Sequence, residues 1–192
     1  MLCAEFLREV IMLQRVAIYC GSRPGHDPKY AEAAASLAAY LAQQGIGIVY
    51  GGSRTGLMGI VADAALQAGG EVIGVVPANL SQREKTHPNL TETHFVDSMH
   101  QRKAMMADLS DAFVALPGGI GTLDELIEIW CWAKIGDHNK ACACYDVDAF
   151  WQPFFDLLTH IDSQGFAHPG SAMLRADSPE NLLEALGAHT KH

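Results

Sequence analysis

The stretch ALPGGIGTLDE, residues 115–125, holds the residue types best suited to chemistry in this chain: Gly118, Gly119 and Gly121, the hydroxyl of Thr122 and the carboxylate of Glu125. Glycines let backbone approach a ligand closely. Where such a loop opens a helix, the unpaired N–H groups of the first turn and the helix dipole form an anion site, to which the Thr122 hydroxyl adds a donor. That geometry suits a phosphate. A second stretch, MHQRK, supplies two cations, Arg102 and Lys103. If both stretches reach one edge of a sheet, a cation and a carboxylate flank the bound anion. Because any strand-to-helix turn favours glycine, the loop by itself points only to an anion site.

The elements that must position these residues alternate. Short apolar runs at 15–20, 45–52, 71–77, 93–96, 112–117 and 141–145 predict strands. Helices are expected at about 28–44, 56–68, 98–109, 123–135, 150–163 and 179–187. Asp27 should cap the first of these, with Pro28 at its first position. Strands without apolar/polar alternation belong to a parallel sheet covered on both faces. The expected fold is therefore α/β, a Rossmann-like doubly wound parallel sheet with helices on both faces, in a single domain. Ligands of such sheets sit outside the carboxyl ends of the strands. Three glycine loops fall on that edge, and the first two bring Ser22 and Gly52 there as candidate substrate-binding positions beside Gly118, Gly119, Gly121 and Thr122.

Composition agrees with one domain. The chain has 192 residues, 49% of them apolar, with 18 glycines, enough to bury a sizeable core. Residues 15–192 form the expected catalytic domain, and 1–14 read as an N-terminal extension. A net charge of −9 gives no basic footprint, so no nucleic-acid partner is expected. Five cysteines without a signal-peptide pattern point to reduced thiols and a cytoplasmic protein. Residues 33–53 carry no charge, yet Gln43, Gln44 and Gly45 interrupt them, so no membrane span is expected. Cys131, His138, Cys142 and Cys144 match no ordinary zinc spacing, and neither a metal nor another cofactor is expected. Cys20 reads as a small core residue, Glu128 as a solvated or structural charge, and His100 as a helix-surface histidine. The aromatics Trp130, Trp132, Trp151, Phe154 and Phe155 read as core or dimer contact.

The pairing of SMHQRKAMM with SDAFVALPGGIGTLDELIEIW resembles the LOG (lonely guy) family of cytokinin-activating phosphoribohydrolases, long mislabelled lysine decarboxylases. AIYCGSRPG, VYGGSRTGLMG and KIGDHNKACACYDVDAF resemble further family segments in the same order. The resemblance implies a homodimeric Rossmann-like enzyme. Its expected reaction is hydrolysis of the N-glycosidic bond of adenine-type nucleoside 5′-monophosphates, a cytokinin nucleotide or AMP, releasing free base and ribose 5-phosphate. The family's catalytic Arg and Glu fall on Arg102 and Glu125, and its phosphate loop on Gly118, Gly119, Gly121 and Thr122. Lys103 accompanies Arg102, and Glu84, in NLSQRE, matches a carboxylate of the substrate-side loop. Two departures stand out. Ser53 replaces the third of three consecutive glycines, so either that position needs no positive φ or the loop is reshaped. IWCWAK stands where a threonine is expected near Trp130 or Cys131.

The chemistry fits the residue types. Cleaving a ribosyl C1′–N bond builds positive charge on the sugar, which a carboxylate stabilises while orienting or deprotonating water. Glu125 suits that role. Arg102 stays protonated and serves electrostatically, so it is no proton donor to the leaving base. Two rival readings remain: a non-catalytic carrier of a nucleotide or of molybdenum cofactor on the same scaffold, and a pyridoxal-phosphate decarboxylase. The first lacks a need for both Arg102 and Glu125. The second needs a Schiff-base lysine and its partners.

Overall fold

The computed structural model describes residues 13–78, 86–167 and 172–189. Its strands are β1 (Arg15–Tyr19), β2 (Gly47–Tyr50), β3 (Val72–Pro77), β4 (Glu92–Val96), β5 (Ala112–Ala115), β6 (Ala141–Tyr145) and β7 (Leu174–Ala176). The helices are α1 (Lys29–Gln43), α2 (Gly56–Gln67), α3 (Met99–Asp108), α4 (Ile120–Ile135), α5 (Gln152–Ser163) and α6 (Pro179–His189). All seven strands are parallel, in the order β4-β3-β2-β1-β5-β6-β7. The strand order reverses at β1, where β2 lies on one side and β5 on the other. In doubly wound sheets a ligand crevice opens at that point.

The residues explain the layers. Every residue of β2, β3, β5 and β6 is buried, as sequences such as AFVA and ACACY require when helices cover both faces. On one face α1, α2 and α6 enclose Val16, Ile18, Ile48, Tyr50 and Leu182. Helix α1 contributes Ala34, Leu37, Ala38 and Leu41, the i, i+3, i+4, i+7 stripe of an amphipathic helix. On the other face α3, α4 and α5 enclose Tyr19, Val49, Phe113, Met106, Leu126 and Trp151. The aromatic group read as core or dimer contact lies in or against this second layer, with Trp151 2% exposed.

Two helix starts and one strand depart from the sequence reading in ways that matter for the fold. Helix α4 begins at Ile120 with Gly119 as its N-cap, three residues before the expected start, which moves Gly121 and Thr122 into its first turn. Glycine's low helix propensity hid this, because Gly118, Gly119 and Gly121 surround the start of the helix. Pro28 is the N-cap of α1 and not its first residue, while Asp27 Oδ1 accepts from Lys29 N at 3.0 Å. Strand β7, only three residues long, carries no periodic signal and was not foreseen. Of the N-terminal extension, residues 1–12 lie outside the described residues. Leu13 is already buried, and Gln14 N donates to Asp111 Oδ2 at 2.8 Å. No helix of the described residues is long and apolar enough to cross a membrane.

Candidate active site

At the carboxyl ends of β1, β2 and β5 lies a cleft of about 580 Å³. Three loops wall it, and they are tied to one another: Gly21 N donates to Pro117 O at 3.2 Å, and Leu57 N donates to Gly21 O at 3.0 Å. Its floor is the start of α4. Leu123 N donates to Gly119 O, so the N–H groups of Ile120, Gly121 and Thr122 precede the first intrahelical bond and have no acceptor within the helix. Gly118, Gly119, Gly121 and Thr122 all line the cleft, together with Ser22. Helix-start N–H groups arranged in this way are able to hold an anion.

Arg102 and Glu125 face each other across the cleft wall. Arg102 comes from α3, whose start is held by a reciprocal cap: Ser98 Oγ accepts from Gln101 N at 3.2 Å, and Gln101 Oε1 accepts from Asp97 N at 2.7 Å. Glu125 comes from the second turn of α4. Arg102 Nη1 stands 3.2 Å from Glu125 Oε1, and each side chain is only 10% exposed. Arg102 Nε donates to Val75 O at 3.2 Å, which fixes the guanidinium from behind. The charge of Glu125 is felt nearby, because it adds to burial in pushing the Tyr19 hydroxyl and the Cys20 thiol far above their ordinary values. Cys20 lines the cleft but stays a thiol, in keeping with its reading as a core residue.

The remaining candidates fall elsewhere. Lys103 does not line the cleft: its ammonium pairs with Asp124 at 3.1 Å and with Glu128, joining α3 to α4. Glu128 thus has the structural role foreseen for it. Gly52 lies outside the lining too, in a positive-φ turn (φ 76°), where a side chain would overlap Val76. Glu84 lies outside the described residues. Ser53 answers the question raised by the missing third glycine. It has no positive φ, is 1% exposed, and its Oγ bonds Thr55 Oγ1 at 2.9 Å, so the serine closes the turn with its own side chain.

Other lining residues escaped the sequence reading. Arg23 and Met58 lie within loop motifs that were read for Ser22 and for their glycines. Tyr30 and Phe150, ring centroids 5.7 Å apart, form an aromatic wall drawn from α1 and the loop after β6. Only the fold brings two rings 120 residues apart together. Among the described residues no three His, Cys, Asp or Glu side chains are grouped as metal ligands.

Residues 58–186 match a protein family described as possible lysine decarboxylase. The chain is 43% identical over 157 residues to a cytokinin riboside 5′-monophosphate phosphoribohydrolase of Rhodococcoides fascians, covering 81% of this chain and 79% of that protein. It is 45% identical over 153 residues to the cytokinin riboside 5′-monophosphate phosphoribohydrolase LOG of Oryza sativa subsp. japonica, a match that spans 80% of this chain and 63% of the rice protein. Among solved structures, the molybdenum cofactor binding protein of Rippkaea orientalis has a similar fold, with TM-score 0.67 and 21% identity over 93% of this chain and 98% of that one. At that identity the likeness is one of fold.

Proposed function

We propose a hydrolytic function for this chain, which belongs to the LOG family, the group also described as possible lysine decarboxylases. The reaction is hydrolysis of the N-glycosidic bond of adenine-type nucleoside 5′-monophosphates, as in its cytokinin-activating relatives. Water adds to C1′ and gives up a proton, the C1′–N bond breaks with its electron pair going to the base, the base takes up a proton, and free base and ribose 5-phosphate leave. The observation that carries this reading is the buried Arg102–Glu125 pair beside a row of N–H groups at the start of α4 that have no acceptor within the helix.

In this reading the start of α4, with Gly118, Gly119, Gly121 and Thr122, holds the 5′-phosphate. Ser22 adds a donor from the opposite wall. Binding energy from the phosphate positions the scissile bond, although the phosphate itself does not react. Glu125 then lies next to the sugar, where its negative charge stabilises the positive charge growing on C1′ and its oxygen orients the attacking water. Arg102 holds that carboxylate and stabilises electron density on the departing purine. Lys103 acts indirectly, by bracing α3 against α4. No lysine lines the cleft among the described residues, which disfavours Schiff-base chemistry there.

The same reading includes a homodimer in the cytoplasm. Ile120, Ile127 and Ile135 of α4 are 83%, 42% and 76% exposed, and Leu157 of α5 is 53% exposed, all on the layer formed by α3, α4 and α5. A solvent-facing apolar stripe of this kind favours a twofold partner. Cys20, Cys131, Cys142 and Cys144 are free thiols, which suits a reducing compartment.

Incubation with AMP and with isopentenyladenosine monophosphate, followed by chromatography, tests the reaction and the preferred base together. The expected products are adenine or isopentenyladenine and ribose 5-phosphate. Tight binding of both nucleotides without cleavage would overturn the hydrolase reading in favour of a carrier.

A further inference from the structure

We propose that Gly51 is a positioning residue for this reaction: the lack of a side chain there is what allows Arg102 to keep its guanidinium beside Glu125. The proposal rests on the hydrolytic reading of the cleft. Gly51 directly follows β2 and is buried, and its φ lies outside the left-handed region, so its backbone conformation is open to any residue. Its requirement is space. A Cβ built on it would overlap Arg102 Nη2 and would stand 2.9 Å from Arg102 Cζ and 2.6 Å from Met58 Cε.

The neighbouring glycine makes the contrast. Gly52 serves the chain path, because its φ is 76° and a Cβ there would run into Val76. At Gly51 the three nearest atoms all belong to the far ends of two long side chains, Arg102 and Met58. A methyl group at 51 can therefore be absorbed without breaking the turn, but only by moving Arg102 and Met58. Arg102 has little room to yield. Its Nε is tied to Val75 O, its Nη1 to Glu125, and α3 is anchored by the Ser98 and Gln101 caps. Displacing Nη2 swings the planar guanidinium as a unit and takes Nη1 away from Glu125. The second glycine loop thus acts on the reaction through Arg102.

A double-mutant cycle with Gly51→Ala and Arg102→Lys tests this, with kcat and KM for AMP, AMP affinity by calorimetry, and thermal melts for all four proteins. Lysine lacks the Nη2 that collides. In the wild-type background Gly51→Ala should lower kcat by about 10-fold or more, with KM changing less and the melt nearly unmoved. In the Arg102→Lys background the same change should cost less than about 3-fold. Equal losses in the two backgrounds would overturn the proposal, as would unchanged turnover in Gly51→Ala. So would an unfolded Gly51→Ala protein, since the methyl would then be felt by the fold and not by Arg102. If the wild-type protein binds AMP without cleaving it, the hydrolytic reading falls by itself. The cycle in AMP affinity then decides the role of Gly51: coupled losses support it and additive losses overturn it.

Discussion

The side chain of Thr122 occupies the place where a side chain on Gly118 would have to go: a Cβ built on Gly118 would overlap Thr122 Oγ1 and stand 2.7 Å from Thr122 Cβ. Thr122 is 3% exposed, so it cannot swing clear. The hydroxyl is thereby held in the first turn of α4. By contrast a Cβ on Gly119 or Gly121 meets nothing within 4 Å.

Gly118→Ala should consequently raise KM for AMP by about 10-fold or more, while Gly121→Ala should leave the thermal melt unchanged or slightly higher. Adenosine, which lacks the phosphate, should be a poor substrate for the wild-type protein. Steady-state kinetics on AMP and adenosine check this, and equal efficiency on the two would remove the phosphate role from the loop.

Glu125→Gln keeps the shape of the side chain and removes its charge. Turnover of AMP should fall about 10²-fold or more while AMP binding persists, as when one preorganised electrostatic group is lost. Arg102→Ala should reduce turnover and binding together. It should also lower stability by about 3 kcal/mol, because it leaves a buried carboxylate without its cation. Chemical denaturation of both variants separates the two effects.

His138 gives the fold a pH dependence on the acid side. Its Nε2–H donates to Ile129 O at 2.9 Å and its Nδ1 accepts from Lys140 N at 3.1 Å, a pattern open only to the neutral ring. Burial also lowers its pKa below the usual histidine value. The unfolded chain therefore binds a proton first. Stability is unaffected above about pH 6.5 and falls as the pH drops below it, levelling once the folded protein also protonates. His138→Asn keeps an acceptor near the position of Nδ1 and should reduce the fall in melting temperature as the pH drops below about 6.5; an unchanged slope would place the effect elsewhere.

The apolar stripe of Ile120, Ile127 and Ile135 predicts a dimer in solution, with Ile127→Asp shifting it toward monomer. Light scattering at micromolar concentration reads the mass directly. A wild-type monomer would remove the dimer from the proposal.

Much of the fold was legible because its strands are apolar runs with glycine punctuation, and a parallel sheet makes that pattern plain. β7 was not, since LRA at a sheet edge has neither length nor periodicity. The loop at 118–122 and the pair Arg102 and Glu125 were legible as types at a spacing. Their partners were less so. Lys103 looked like a ligand-binding cation because it follows Arg102, yet consecutive residues on a helix diverge by about 100° and its head turns to Asp124 and Glu128. Gly51 and Gly52 read alike as letters, and only the atoms around each show that one needs space and the other a backbone angle.

The parallel topology has a further consequence for how the cleft comes into being. Its walls come from residues 20–25, 30, 57 and 58, 99 and 102, 117–122, 124 and 125, and 150, and the two central strands that carry residues 20–25 and 117–122 at their ends, β1 and β5, are separated by β2, β3 and β4 along the chain. No contiguous peptide contains the cleft. A nascent chain that has emerged only through α3 has the arginine but not the glutamate, and its β1 edge stays unpaired until β5 arrives. Formation of the site therefore depends on contacts distant in sequence, above all the pairing of β1 with β5. Enzymatic activity then serves as a reporter of the completed sheet: in denaturant, activity and far-UV circular dichroism should vanish in one transition.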